Sequence, residues 1–267
     1  ALSGFAENIE MFVPVDLLAG LSVPLDLLFE PEWEYLDLTL APVERRVEPR
    51  QSDNIRLLWN QPANGTNSDI WADNGLVFAP GFDDQIELID AASGEVLGIA
   101  SIADAEGEFS ITYDVKSHGD YLFAATDHKG VVVFDVSDPT SPTVIGQHYS
   151  REGETSQESF FDIHNIFLSP DGQYLYAMNT PFSPTAMWVL DVSDPANPVE
   201  AGRFSIAGDL GSVHDVNVIQ RGDTLVAFLN YWEAGLYILD VTDPGDIVEL
   251  GSIVWDDAIS HSGWPFE

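Results

Sequence analysis

Phe134-Asp135-Val136-Ser137-Asp138-Pro139-Thr140-Ser141-Pro142 returns as Leu190-Asp191-Val192-Ser193-Asp194-Pro195-Ala196-Asn197-Pro198, and in shorter form as Leu239-Asp240-Val241-Thr242-Asp243-Pro244. The first Asp of each copy falls 56 and then 49 residues after the last. A weaker copy, Leu88-Ile89-Asp90-Ala91-Ala92-Ser93-Gly94, lies 45 residues before the first. Recurrence at about 40–50 residues in a strand-rich chain is the sequence mark of propeller blades.

The repeat extends beyond its acidic turn. Val213-His214-Asp215-Val216-Asn217-Val218 alternates as a strand does, Arg221-Gly222-Asp223 makes a turn, and Thr224–Leu229 is a second strand. Gly235–Val241 and Ile247–Gly251 supply a third and a fourth. Ile163-His164-Asn165-Ile166, Tyr113-Asp114-Val115 and Ser68-Asp69-Ile70-Trp71 open equivalent sets upstream. The strands are apolar on nearly every residue, as sheets covered on both faces require. The expectation is an all-β propeller of four complete four-stranded antiparallel blades plus a partial one. Inner strands are expected near 69–72, 111–116, 162–168 and 213–219.

In the Asp-Val-Ser-Asp-Pro turn, an Asp carboxylate accepts from backbone N–H groups just ahead, and Pro fixes φ and stops the strand. This turn divides the third strand from the fourth. Paired carboxylates such as Asp135 and Asp138 are also possible ligands for Ca²⁺, which takes six to eight oxygens. Few such oxygens come from any single turn.

Phe134–Pro139, His214-Asp215-Val216 and Gly65-Thr66-Asn67-Ser68-Asp69-Ile70 resemble the LVIVD-repeat proteins. The resemblance covers roughly residues 54–267. It implies an exported β-propeller of bacterial or archaeal type, some members of which carry surface anchors. It implies no catalytic residues, because the family has no defined activity. The N-terminal stretch has no counterpart in it.

The chain has 45 acidic and 9 basic residues, a formal charge of −36, and its lysines are Lys116 and Lys129. That balance argues against nucleic acid and anionic membrane surfaces, which need basic patches. It fits a halophilic or marine protein whose surface is solvated for high salt, where screening removes the self-repulsion. A strongly basic partner is the other reading. With no cysteine, disulfides, thiolate catalysis and Cys-ligated zinc or iron–sulfur sites are excluded. No run reaches the 18 or so apolar residues of a membrane span. No basic n-region opens the chain, so a signal peptide would already be gone. Asn64-Gly65-Thr66 is a glycosylation sequon in a surface-type loop.

Residues 1–53 read as an extension and linker, and 54–267 as the propeller. In the extension, Met11–Leu18 is echoed by Leu21–Leu28, and Trp33–Leu40 alternates like a strand. These apolar segments either cross the propeller's own surface or dock on another copy. Leu17, Leu18, Leu27, Leu28 and Trp33 are the expected anchors, giving a homo-oligomer or filament. Asn54–Trp59 has the look of an outer strand for a blade whose inner strand lies near His261. Four blades and a fragment leave exposed edges, so either the polypeptide is expected to continue or a partner completes the ring.

The strongest chemical constellation is His164, His214 and His261, separated by 50 and 47 residues at one place in three repeats. Inner-strand positions come round a common axis, so three imidazoles could converge on a metal. Repetition from blade to blade equally suits a structural hydrogen bond. Tyr113 and Ser68 fill the same position earlier in the chain. His118, His128 and His148 are expected to be solvated. There is no Gly-x-Ser-x-Gly elbow and no phosphate loop, and Asp83-Asp84 and Asp256-Asp257 read as solvated surface. The leading expectation is a non-enzymatic extracellular or cell-surface module, with no cofactor and no catalytic residue. The alternative is a metal-dependent hydrolase or lactonase with a His-lined axial site.

Overall fold

Each repeat folds into one antiparallel sheet, and four such sheets follow one another along the chain. The computed structural model describes residues 8–14, 55–62, 65–106, 109–150, 160–179, 186–206, 212–255, 259–263 and 265. β1 (Asn8–Pro14) and β2 (Ile55–Pro62) pair as a two-stranded sheet. Blade 1 is β3 (Trp71–Asp73), β4 (Leu76–Pro80), β5 (Gln85–Asp90) and β6 (Val96–Ser101). Blade 2 is β7 (Thr112–His118), β8 (Tyr121–Thr126), β9 (Val131–Asp135) and β10 (Thr143–His148). Blade 3 is β11 (Ile163–Leu168), β12 (Tyr174–Asn179), β13 (Ala186–Asp191) and β14 (Val199–Phe204). Blade 4 is β15 (Val213–Arg221), β16 (Thr224–Tyr231), β17 (Gly235–Asp240) and β18 (Val248–Ile253). The protein is a β-propeller, and among the described residues its helix is one 3₁₀ turn at Ile102–Asp104.

Turn chemistry makes the hairpins. Asn74 and Gly75 both take positive φ, 49° and 79°, which is the type I′ geometry that matches strand twist. At the third-to-fourth connection, Asp135 Oδ1 accepts from Ser137 N at 2.9 Å and Asp138 Oδ1 from Thr140 N at 3.0 Å. Asp191, Asp194, Asp240 and Asp243 repeat the pattern. The hydroxyls of Ser93, Ser137, Ser193 and Thr242, then their backbone N–H groups, hold Asp90, Asp135, Asp191 and Asp240 below the usual carboxylate range.

Blades pack face to face through apolar rows. Phe78 and Leu88 of blade 1 join Val115 and Leu122 of blade 2. Phe123 and Val133 join Ile166 and Trp188 of blade 3. Tyr176 and Val189 join Val216 and Leu229 of blade 4. One β-bulge recurs in every outer strand. Leu88, Val133, Val189 and Ile238 pair with Gly98, Gly146, Gly202 and Gly251, and the residue before each glycine drops out of register. A Cβ on Gly98, Gly146 or Gly202 would strike the carbonyl of Pro139, Pro195 or Pro244 in the next blade. The glycine is there because the neighbour's Asp-Pro turn sits on it.

The N-terminal sheet has the same register. Met11 pairs with Trp59 and Phe12 with Leu57, so Leu58 is the bulged residue. Trp59 donates Nε1–H to Ala91 O at 2.9 Å, and its ring covers Gly94 in blade 1's turn. β2 thus holds the outer-strand place expected for residues 54–59. Its partner, the third strand of that blade, comes from the extension as β1 and not from the C-terminal end. An outer strand needs a third strand to bond to, and Asn8–Pro14 supplies one in the register that every blade uses. Leu17, Leu18, Leu27, Leu28, Trp33 and Asn64 lie outside the described residues.

Candidate functional site on the propeller axis

The inner strands β7, β11 and β15 are neighbours, so equivalent residues on them meet. The sequence register brings His164, His214 and His261 together as a pile of rings. Tyr113 and His164 have centroids 5.1 Å apart, His164 and His214 4.7 Å, and His214 and His261 3.9 Å. Trp232 lies parallel to His214 at 5.0 Å. The His164 and His214 Nε2 atoms are 3.2 Å apart, one donating and the other accepting. Burial, then the neighbouring imidazoles, holds His214 down at about 4. Burial and His261 lower His164 in the same direction. The pair is therefore neutral at neutral pH, and among the described residues no three His, Asp or Glu side chains are arranged to hold a metal ion.

One residue further along each strand is a second layer, of carboxylates. Asp114, 3% exposed, reaches into the next blade, where its Oδ2 accepts from Ile166 N at 2.9 Å. Asp69 makes the same reach to Val115 N, more loosely at 3.5 Å. Lys116 lies between them, bonded to Asp114 and to Val115 O, with Asp69 Oδ2 at 3.6 Å and the Trp71 ring at 4.9 Å. Burial opposes the Lys116 charge, yet Asp114 and Asp69 hold its pKa above the ordinary value. Burial, reinforced by Asp114, pushes Asp69 well up. Burial also raises Asp215, to about 6. Asn165 takes the carboxylate's place in blade 3.

A third group lies beside Tyr113. Asp127 Oδ1 accepts from Ser110 Oγ at 2.6 Å and Ile111 N at 2.8 Å, and burial, then Asp127, raises Asp162 to about 7. His118 is exposed, as the sequence suggests. His148 is not: its ring sits edge-on to Phe160 at 4.8 Å, and Nδ1 lies 3.1 Å from Pro198 O. Its outer strand is covered by the next blade's turn, which residue type alone does not reveal. The carboxylate layer was likewise missed. Its signal was the alignment of Asp69, Asp114 and Asp215 one residue after the Ser68–Tyr113–His214 register.

Both axial layers, and the turns that space them, are built by one repeating unit. The LVIVD-repeat family matches residues 102–149 and 183–205. Those two segments carry the LVIVD repeat. They include Phe134–Pro142 and Leu190–Pro198, the two fullest copies of the turn. No curated protein matches in sequence. Among solved structures, it is similar to the dihydro-heme d1 dehydrogenase NirN in complex with DHE, with 14% identity, TM-score 0.56, and coverage of 76% of this chain and 40% of that one. A hypothetical selenium-binding protein from Sulfolobus tokodaii matches at 12% identity and TM-score 0.54, over 79% of this chain and 58% of that one. The Cps50 (Swd1) β-propeller domain of Myceliophteria thermophila matches at 12% and 0.53, over 74% and 63%. The chain spans 40–63% of the length of these three, and at such identities the likeness concerns the fold. Among the described residues no helix is long and apolar enough to cross a membrane.

Proposed function

We propose that this LVIVD-repeat chain is a non-enzymatic binding module that works outside the cell or at its surface. The observation that carries the reading is the use made of the axial charges. Asp114 and Asp69 are bonded to backbone N–H groups of the next blade and to Lys116, so groups that elsewhere act as acids and bases here hold sheets together. The formal charge of −36 favours an uncharged or basic partner over nucleic acid or anionic lipid. Leu17, Leu18, Leu27, Leu28 and Trp33 add self-association as a further part of the same proposal. The test is a turnover assay of the purified protein on esters, lactones and glycosides at high salt. No turnover is expected. Catalysis that disappears in His164→Phe or His214→Phe would overturn the reading.

One distance favours a second reading. Two imidazole nitrogens on one zinc ion at about 2.0–2.1 Å each stand roughly 3.2–3.4 Å apart, and the His164 and His214 Nε2 atoms are 3.2 Å apart. The neutral pair would then hold a divalent transition metal, with water completing the shell. Elemental analysis of protein purified without chelator, with a zinc or copper titration of wild type against His164→Phe, separates the two readings.

A further inference from the structure

Two turns among the described residues carry a glycine after an asparagine or aspartate, and they are built in opposite ways. At Asp171-Gly172 the groups that could react are held. Asp171 Oδ1 accepts from Ser169 Oγ at 2.6 Å and from Gln173 N at 3.1 Å. Gly172 N donates to Ser169 O at 2.8 Å, and the His118 ring lies over Gly172, where a Cβ would come within 2.3 Å of it. At Asn74-Gly75 the same groups are open. Both residues are exposed, a Cβ on Gly75 would meet nothing within 4 Å, and among the described residues nothing accepts from the Gly75 N–H. The Asn74 carboxamide is tied only loosely, Nδ2 to Asp73 Oδ2 at 3.4 Å.

Asparagines elsewhere in the blades lack one of these features. Asn217 and Asn230 are each 2% exposed. Asn197 is exposed, but Pro198 after it has no N–H. Asn165 precedes Ile166, whose N–H is bonded to Asp114. The type I′ geometry of the β3–β4 hairpin favours Asn-Gly in the first place, so the pair that makes the turn also makes it reactive.

We infer that Asn74-Gly75 is a site of spontaneous modification, at which the Gly75 nitrogen attacks the Asn74 carboxamide and converts the asparagine into aspartate and isoaspartate. The Gly75 N–Asn74 Cγ bond forms, the Cγ–Nδ2 bond breaks, and the displaced nitrogen takes up the Gly75 amide proton and leaves as ammonia. Water then opens the five-membered imide, giving its hydroxyl to a carbonyl carbon and its proton to the ring nitrogen. Opening at Cγ leaves Asp-Gly, which keeps a type I′ turn. Opening at the other carbonyl carries the main chain through Cβ and Cγ, one atom longer. A two-residue turn has no slack for that atom, so the pairing of Asp73 with Leu76 cannot hold. β3 has only three pairs to β4, and Asp73 Oδ2 also accepts from Ser117 Oγ at 2.9 Å, which in turn accepts from Trp71 Nε1 at 3.1 Å. The isoaspartyl form therefore loosens β3 from its own sheet and from blade 2.

The test ages the folded 267-residue chain at high salt and mildly alkaline pH and maps isoaspartate by peptide mass spectrometry. Asn74 is expected to convert at least tenfold faster than Asn165, Asn197, Asn217 or Asn230, and Asp171 to stay as aspartate. The isoaspartyl protein, separated from the aspartyl form, is expected to exchange its backbone amides severalfold faster over 71–78, the span of β3, its turn and the start of β4. Asn74→Asp, which supplies the other product directly, is expected to exchange there as wild type does. An Asn74 that stays intact, conversion no faster than at the four other asparagines, or isoaspartyl protein with unchanged exchange over 71–78 would overturn the inference. None of these results touches the non-enzymatic reading, which falls only to turnover.

Discussion

The two axial layers are one residue apart on the same strands, yet they respond to protons in opposite senses. In the imidazole layer, burial favours the neutral bases, and the rings lie against one another. In the carboxylate layer, burial favours the protonated acids, and the charge that remains is shared with a buried lysine and with backbone N–H groups of the next blade. The difference teaches how one repeating position serves a structural end by two routes. Stacked neutral rings lose little if one is exchanged. A charge network left half satisfied is costly.

The comparison breaks most visibly at Asp114. Asp114→Ala strands Lys116 without its nearest carboxylate and leaves Ile166 N unbonded, so it should cost about 3–5 kcal/mol, measured by urea unfolding at high salt. Asp114→Asn keeps an acceptor for Ile166 N and should cost less. Next comes Asp215, held at about 6. An acid whose folded pKa is raised stabilises the fold fully below its unfolded value near 3.8 and loses that contribution as pH rises through about 6. Asp215→Asn should therefore gain about 1–2 kcal/mol on wild type above that window, read as Tm against pH.

His214 sharpens the contrast from the other side. A base whose folded pKa is lowered stabilises the fold above its ordinary value of 6.5, and that contribution is lost as pH falls toward about 4. His214→Phe should flatten the acid-side fall in Tm between those limits and leave the alkaline side unchanged. Asp162, which is in neither layer, follows Asp215 in sense. Its folded pKa of about 7 predicts that Asp162→Asn gains on wild type as pH rises from near 3.8 to 7 and holds that gain above 7, again by Tm.

The blades were legible because their signals are local. Asp138-Pro139, Asp194-Pro195 and Asp243-Pro244 mark turns by backbone chemistry alone, and strands apolar on both faces follow from radial stacking. The convergence of His164, His214 and His261 was legible too, since equal spacing in a ring places equal positions at one axis. The role of Asp114 was not. Its partner is a backbone N–H some 52 residues away, and a backbone group leaves no trace in residue type. β1 was hidden for a related reason. Met11 and Phe12 carry no turn motif, and the fourth strand to which they bond lies beyond the whole extension.

Trp232 stacked on His214, with the ring planes 12° apart, gives the axis an optical readout. A neutral imidazole leaves indole emission largely intact, whereas an imidazolium in contact with the ring withdraws electron density from the excited state and quenches it. The emission of Trp232 should therefore dim as His214 takes up a proton, well below neutrality and before the sheets come apart. The ring pile that joins the blades thus also reports, in light, when the acid has reached it.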